Sequence, residues 1–153
     1  MVHALEQIHR LLKPDGFLID IHPVAEHSWI EIHRNGKINL AGQLEVSQWC
    51  VDFSEADKAL DEIIQRAMFT VEQKGTFDTL TYYESASEMG TKLKESILKY
   101  VREGEPVDEE ISHVEKLAVR AEELLLAAGS EAKLVLREPD HISRLRPLVE
   151  TIG

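Results

Sequence analysis

Scarcity marks this chain before any pattern does. A single cysteine, Cys50, stands among 153 residues. It excludes an internal disulfide and suits a reducing compartment, so a cytoplasmic protein is expected. Aromatic residues amount to 6%, and no apolar run is long enough to span a membrane; Phe17-Leu18-Ile19 and Leu124–Ala128 are among the longest. His3, Glu6 and Arg10 follow Met1 closely, which is not the basic-then-apolar layout of a secretory signal. Basic residues are also short, 17 against 28 acidic, for a net charge of −11. Such a chain repels a phosphate backbone, so nucleic acid is not an expected partner, and without a long apolar run neither is a membrane. Lys133, Arg137, Arg144 and Arg146 are interspersed with Glu138 and Asp140 and read as a solvated edge.

What is present is an ordinary globular balance, 43% hydrophobic and 29% charged, in a length that suits one domain over residues 1–153. Val2, Leu5, Ile8, Leu11 and Leu12 recur at helical spacing, and Pro14-Asp15-Gly16 ends that helix. Phe17 to Ile21 then reads as a strand buried on both faces, as in a parallel sheet. Asn35-Gly36 marks a hairpin between Trp29–Arg34 and Lys37 to about Val46. A three-residue bulged turn, pairing Ile32 with Ile38 and Ile30 with Leu40, separates the apolar and polar faces best.

Ser54-Glu55-Ala56-Asp57 is expected to open a helix with Ala56, Leu60, Ile63, Ile64, Ala67 and Met68 inward. Phe69–Gln73 and Phe77–Tyr83 look like two strands split by Lys74-Gly75-Thr76. Ser85 caps a helix with Met89, Leu93, Ile97, Tyr100 and Val101 along one stripe. Asp108 opens the longest helix and Gly129 stops it. Leu134–Leu136 is the last clear strand.

The passage from Val2 to Ile21, with Leu12-Lys13-Pro14-Asp15-Gly16 at its centre, resembles the helix, turn and strand near the end of class I S-adenosylmethionine (SAM) methyltransferases. The resemblance implies an α/β fold. It would be a partial Rossmann-like methyltransferase half with an added β-hairpin, its mixed sheet packed by helices. The family's glycine-rich cofactor turn and ribose-binding carboxylate would lie upstream of Met1, and the eight glycines of this chain are scattered singly. No cofactor is therefore expected on this chain alone, and SAM only if a missing half is supplied. The implied reading is a truncated, non-catalytic interaction or regulatory module. Its alternative is a piece of a methyltransferase completed by another chain or by upstream sequence. The strand Phe17–Ile21, stripped of a neighbour, would drive homodimer formation or docking of a complementing polypeptide.

Seven histidines raise a third reading, a small metal- or ligand-binding protein. His22, Glu26 and His27 follow the end of the Phe17–Ile21 strand, where α/β folds place ligands. With His33 and Glu31 they offer imidazole and carboxylate donors for zinc or another divalent ion. The same His22, Glu26 and His27 are the candidate catalytic groups, His22 as general base, with Asp20 read as pointing to the opposite side of the strand. Cys50 beside Trp49 and Val51 reads as a small buried residue, and Trp29, Tyr82 and Tyr83 as packing residues.

Overall fold

Antiparallel pairing, rather than the expected mixed sheet, organises the chain. The computed structural model describes residues 1–24, 26, 28–101 and 104–148. Among these residues the elements run α1 (Val2–Leu11), β1 (Leu18–Pro23), β2 (Ser28–Arg34), β3 (Lys37–Leu44), α2 (Ser47–Gln65), β4 (Phe69–Tyr83), α3 (Ala86–Tyr100), α4 (Asp108–Ala128) and β5 (Lys133–Pro147). Hydrogen-bonded neighbours follow the order β1-β5-β2-β3, with β4 also beside β5. The chain is thus an α/β protein with an open antiparallel sheet. It gathers into two compact units, one of Met1–Ala25, Trp49–Phe77 and Pro139–Gly153, the other of Glu26–Gln48 and Asp78–Glu138.

In the first unit, β1 pairs antiparallel with the second half of β5, setting Leu18 opposite Leu145, Asp20 opposite Ser143 and His22 opposite His141. Opposed residues share a face, and faces alternate along a strand. One face of β1 therefore carries Leu18, Asp20 and His22, and the other Ile19 and Ile21. The first is covered by helices: Leu5 of α1, Ala59, Leu60 and Ile63 of α2, Phe69 of β4 and Leu145 of β5 form a buried cluster. The second is open, with Ile19 and Ile21 45% and 56% exposed. Burial on both faces, expected from the apolar run, is thus corrected. β5 supplies a neighbour from the far end of the chain, and one that runs antiparallel.

α2 begins at Ser47, so Ser54 lies inside the helix rather than capping it. No proline or glycine interrupts residues 47–54, and the helix continues through them. It ends where Ala67 takes a left-handed backbone, φ 54°. Met68 N–H bonds Ile63 O at 3.1 Å and Ala67 N–H bonds Ile64 O at 3.0 Å, a Schellman closure. Ala67 is consequently exposed, not inward, and Ala59 takes the core position instead. Lys74-Gly75-Thr76 does not divide β4, which runs unbroken over 15 residues. β5 likewise extends well past Leu136 to Pro147.

In the second unit, the hairpin turns on two residues, Asn35 (φ 47°) and Gly36 (φ 75°), with Arg34 opposite Lys37. The expected three-residue turn is corrected. Ile32 faces Asn39, and the irregularity falls inside the ladder, where the register shifts between Ile30 and Glu31. The separation of faces that favoured a longer turn is not required, because Ile30, Glu31 and Ile32 are all buried. α3 is capped as expected, Ser85 Oγ accepting from Glu88 N–H at 3.0 Å. Met89, Leu93 and Ile97 are buried with Val114, Leu117 and Ala121 of α4, while Tyr100 is exposed. α4 stops at Gly129, φ 91°.

The left-handed Ala67 yields a test of the local reading. An alanine Cβ crowds the backbone there and a glycine does not. Ala67→Gly is expected to raise stability by about 0.5–1 kcal/mol, measured by urea unfolding; a loss of that size would contradict the closure described.

Candidate functional site

Alternation along β1 brings Asp20 and His22 onto the helix-covered face, with Ser143 and His141 beside them on β5. The expectation that Asp20 points away from His22 is corrected, because residues two apart on a strand share a face. Asp20 Oδ2 lies 2.6 Å from His22 Nδ1. From above, α2 lays Asp57 on the other nitrogen, Nε2 to Oδ1 at 2.8 Å. The His141 ring stands edge-on to His22 with centroids 5.6 Å apart. His22 itself is 9% exposed.

With a carboxylate within hydrogen-bond distance of each nitrogen, the doubly protonated form of the His22 ring has a partner for both N–H groups. Burial pulls its pKa down. The hydrogen bonds to Asp57 and Asp20, with their negative charge, outweigh that effect and raise it above the ordinary 6.5. A ring donating from both nitrogens has no free lone pair, so in this state His22 is a held cation and not a general base.

Beside this clamp opens a cleft of about 400 Å³. Leu60, Ile64 and Val71 give it apolar walls. Asp57 and Asp61, one turn apart on α2, line one rim, and Lys74, Thr76, His141 and Ser143 line the sheet side. Acceptors thus stand on the helix rim, and donors on the strand rim, of one partly apolar pocket. That is the usual composition of a small-molecule site.

The other candidate residues fall elsewhere. Glu26 is an exposed residue in the bend after β1, within the second unit. His27 lies outside the described residues. His33, on β2 of the second unit, has Nε2 2.7 Å from Glu31 Oε2. Glu31 is 2% exposed, and Arg137 Nε donates to its Oε1 at 2.7 Å. Burial pushes the Glu31 pKa up, but the bonds and charges of His33 and Arg137 prevail and hold it below the ordinary carboxylate range. Arg137, expected at a solvated edge, instead belongs to this ion pair, and Arg144 and Arg146 both reach Glu72. Among the described residues, no group of three or more His, Cys, Asp or Glu side chains is placed to hold a metal. Nor, among them, is any helix long and apolar enough to cross a membrane.

Asp57, Asp61, Lys74, Thr76, His141 and Ser143 were not singled out by sequence reasoning. The one available signal was spacing: Asp57 and Asp61 recur at a helical interval, and His141 and Ser143 alternate like Asp20 and His22.

His22 provides the pH test. Its folded pKa is raised, so its stabilisation is full below the unfolded value of about 6.5 and is lost as pH climbs through the raised value. Histidine NMR titration is expected to give an elevated pKa for His22, and Asp57→Asn to lower it. His22→Leu is expected to cost about 2–3 kcal/mol, because it leaves Asp20 and Asp57 facing each other without a cation. A pKa at or below the ordinary value would refute the clamp.

Comparison of the chain with protein-family models, with curated proteins and with solved structures finds no match; its chemistry therefore has to be argued from the cleft itself.

Proposed function

We propose that the chain is a non-catalytic binding module, and that the cleft beside His22 takes a small zwitterion such as a free amino acid. The carrying observation is the division of the cleft's rims. Carboxylates of Asp57 and Asp61 line the helix side, and Lys74, Thr76, His141 and Ser143 line the strand side. A ligand ammonium suits the first rim, a ligand carboxylate suits the second, and Leu60, Ile64 and Val71 accept a short apolar side chain. A binding role is favoured over a catalytic one because both His22 nitrogens are taken by carboxylates. The methyltransferase resemblance contributes α1 and β1 to this unit. The cleft is lined by residues of this unit alone, so a small-molecule site there needs neither SAM nor a completing chain.

The test is a thermal-shift panel of the standard amino acids, confirmed by calorimetry. A ligand at one hundred times its Kd stabilises by about 2.7 kcal/mol, which corresponds to a Tm rise of about 5–10 °C. At least one amino acid is expected to give such a rise, and Asp61→Asn to abolish it. No response to any of them at millimolar concentration would end the reading.

A second role, self-association, is favoured by the open face of β1. Phe17, just before β1, and Ile19 and Ile21 within it are each about half exposed, and β5 is that strand's hydrogen-bonded partner. A homodimer through this strand is expected in multi-angle light scattering at micromolar concentration, and Ile19→Lys with Ile21→Lys should return it to monomer. A wild-type monomer at high concentration would dismiss this role.

A further inference from the structure

We infer a second, anion-binding site in the second unit, at the β2–β3 turn, for a small polyanion such as a diphosphate. A cleft of about 470 Å³ opens there, lined by His33, Arg34, Lys37, Lys133, Tyr82 and the turn Asn35-Gly36, with Glu131 as its acidic member. A chain with net charge −11 has gathered three cations, Arg34, Lys37 and Lys133, around one opening.

Among the described residues Arg10, Lys13, Lys74 and Lys116 also have no ion pair; what sets Arg34, Lys37 and Lys133 apart is that they meet at one opening. Arg137, Arg144 and Arg146 are matched to Glu31 or Glu72, and Arg66 to Glu6 and Glu62. Among the described residues, neither Lys37 nor Lys133 is ion-paired. Lys133 Nζ instead stands 5.8 Å from the centre of the Tyr82 ring, which orients an ammonium without neutralising it. Arg34 donates through Nη1 to Ala128 O at the end of α4, so its position is fixed while its charge meets only a carbonyl. An added Cβ at Gly129 would come 3.3 Å from Arg34 Nη1, and glycine there leaves the guanidinium its seat. An added Cβ at Gly36 would meet nothing within 4 Å, so the space over the turn is open.

The occupant follows from this geometry. One fixed guanidinium and two ammonium groups, set against the single carboxylate of Glu131, suit clustered anionic oxygens better than a single carboxylate. Phosphate and polycarboxylate oxygens share that chemistry, and the experiment separates them.

Isothermal titration calorimetry of the full chain uses inorganic pyrophosphate and citrate as probes at low ionic strength. Saturable binding of at least one probe is expected at one site per chain, weakening as salt rises from 50 to 200 mM. Binding of pyrophosphate alone identifies a phosphate site, binding of citrate alone a polycarboxylate site, and equal binding of both a general polyanion site; each supports the inference. Lys37→Gln with Lys133→Gln should weaken binding at least tenfold, whereas Lys116→Gln, on the exposed side of α4, should not. These exchanges are at exposed positions, and circular dichroism reports that the fold is kept. No saturable heat with either probe up to 10 mM (roughly the weakest binding such a charge cluster would give), or equal affinity in the Lys37/Lys133 and Lys116 variants, overturns the site.

Discussion

A protonated imidazole held beneath a helix needs a partner for each N–H, and in the first unit that requirement fixes more than the ring. Asp20 comes from the strand of His22 and Asp57 from α2, so the cation ties sheet to helix at one point. Once Asp57 points at His22, the rotation of α2 follows from its 3.6-residue turn. Asp61 and Ile64 fall on the side of Asp57 and line the cleft, while Ala59 and Ile63 turn into the core. The charge pair therefore sets both the register of the helix over the sheet and the chemical character of the cleft. Removing either carboxylate leaves a buried charge poorly compensated, which is costlier than the loss of any surface pair in the chain.

Much of the local structure was legible because local chemistry decides it. The α1 stripe and its Pro14-Asp15-Gly16 stop, the Ser85 cap and the Gly129 stop depend on residues within a few positions of each other. Partners from the far end of the chain were not legible. The strand at Leu18 is paired by residues 140–145, and an apolar run carries no mark of the direction of its neighbour. The turn at Asn35-Gly36 shows the same limit from the other side. The dipeptide indicated a two-residue turn. The side-chain pattern argued otherwise only because Glu31, a charged residue, is buried among Ile30 and Ile32 with Arg137 as its partner. The clamp was half legible: Asp20 and His22 alternate on one strand, but Asp57 and His141 are brought to them by tertiary packing alone.

The methyltransferase resemblance divides along the same line. A helix with one apolar stripe, a proline–glycine stop and a short β-branched strand form the same local motif whatever lies beside them. Those features are what the passage from Val2 to Ile21 carries. The parallel neighbour that the resemblance implies would lie on the edge of β1 away from β5, the antiparallel strand to which it is hydrogen-bonded. A local motif of this kind constrains the unit it sits in and says little about the site built on it, because fold fragments and functions are separable. The chemistry of this unit also draws on Asp57 and Asp61 of α2 and on Lys74, His141 and Ser143, which lie outside the resembling passage, whereas Asp20 and His22 fall within it or at its end.

Charge shows why composition and site can point in different directions. The sum of −11 describes the field far from the surface, yet charges interact individually only within about 8–10 Å at physiological salt. Over that range the cations of this chain behave in two ways. Arg137, Arg144 and Arg146 stand against carboxylates, whereas Lys37, Lys133 and Arg34 share one cleft with a single carboxylate, Glu131. A long polyanion such as nucleic acid samples many such neighbourhoods at once, and across them the acidic surplus repels it. A small polyanion samples one. The acidic balance therefore argues against a phosphate backbone without opposing the anion binding proposed for one basic cleft, since what decides each case is the area over which the charge is averaged.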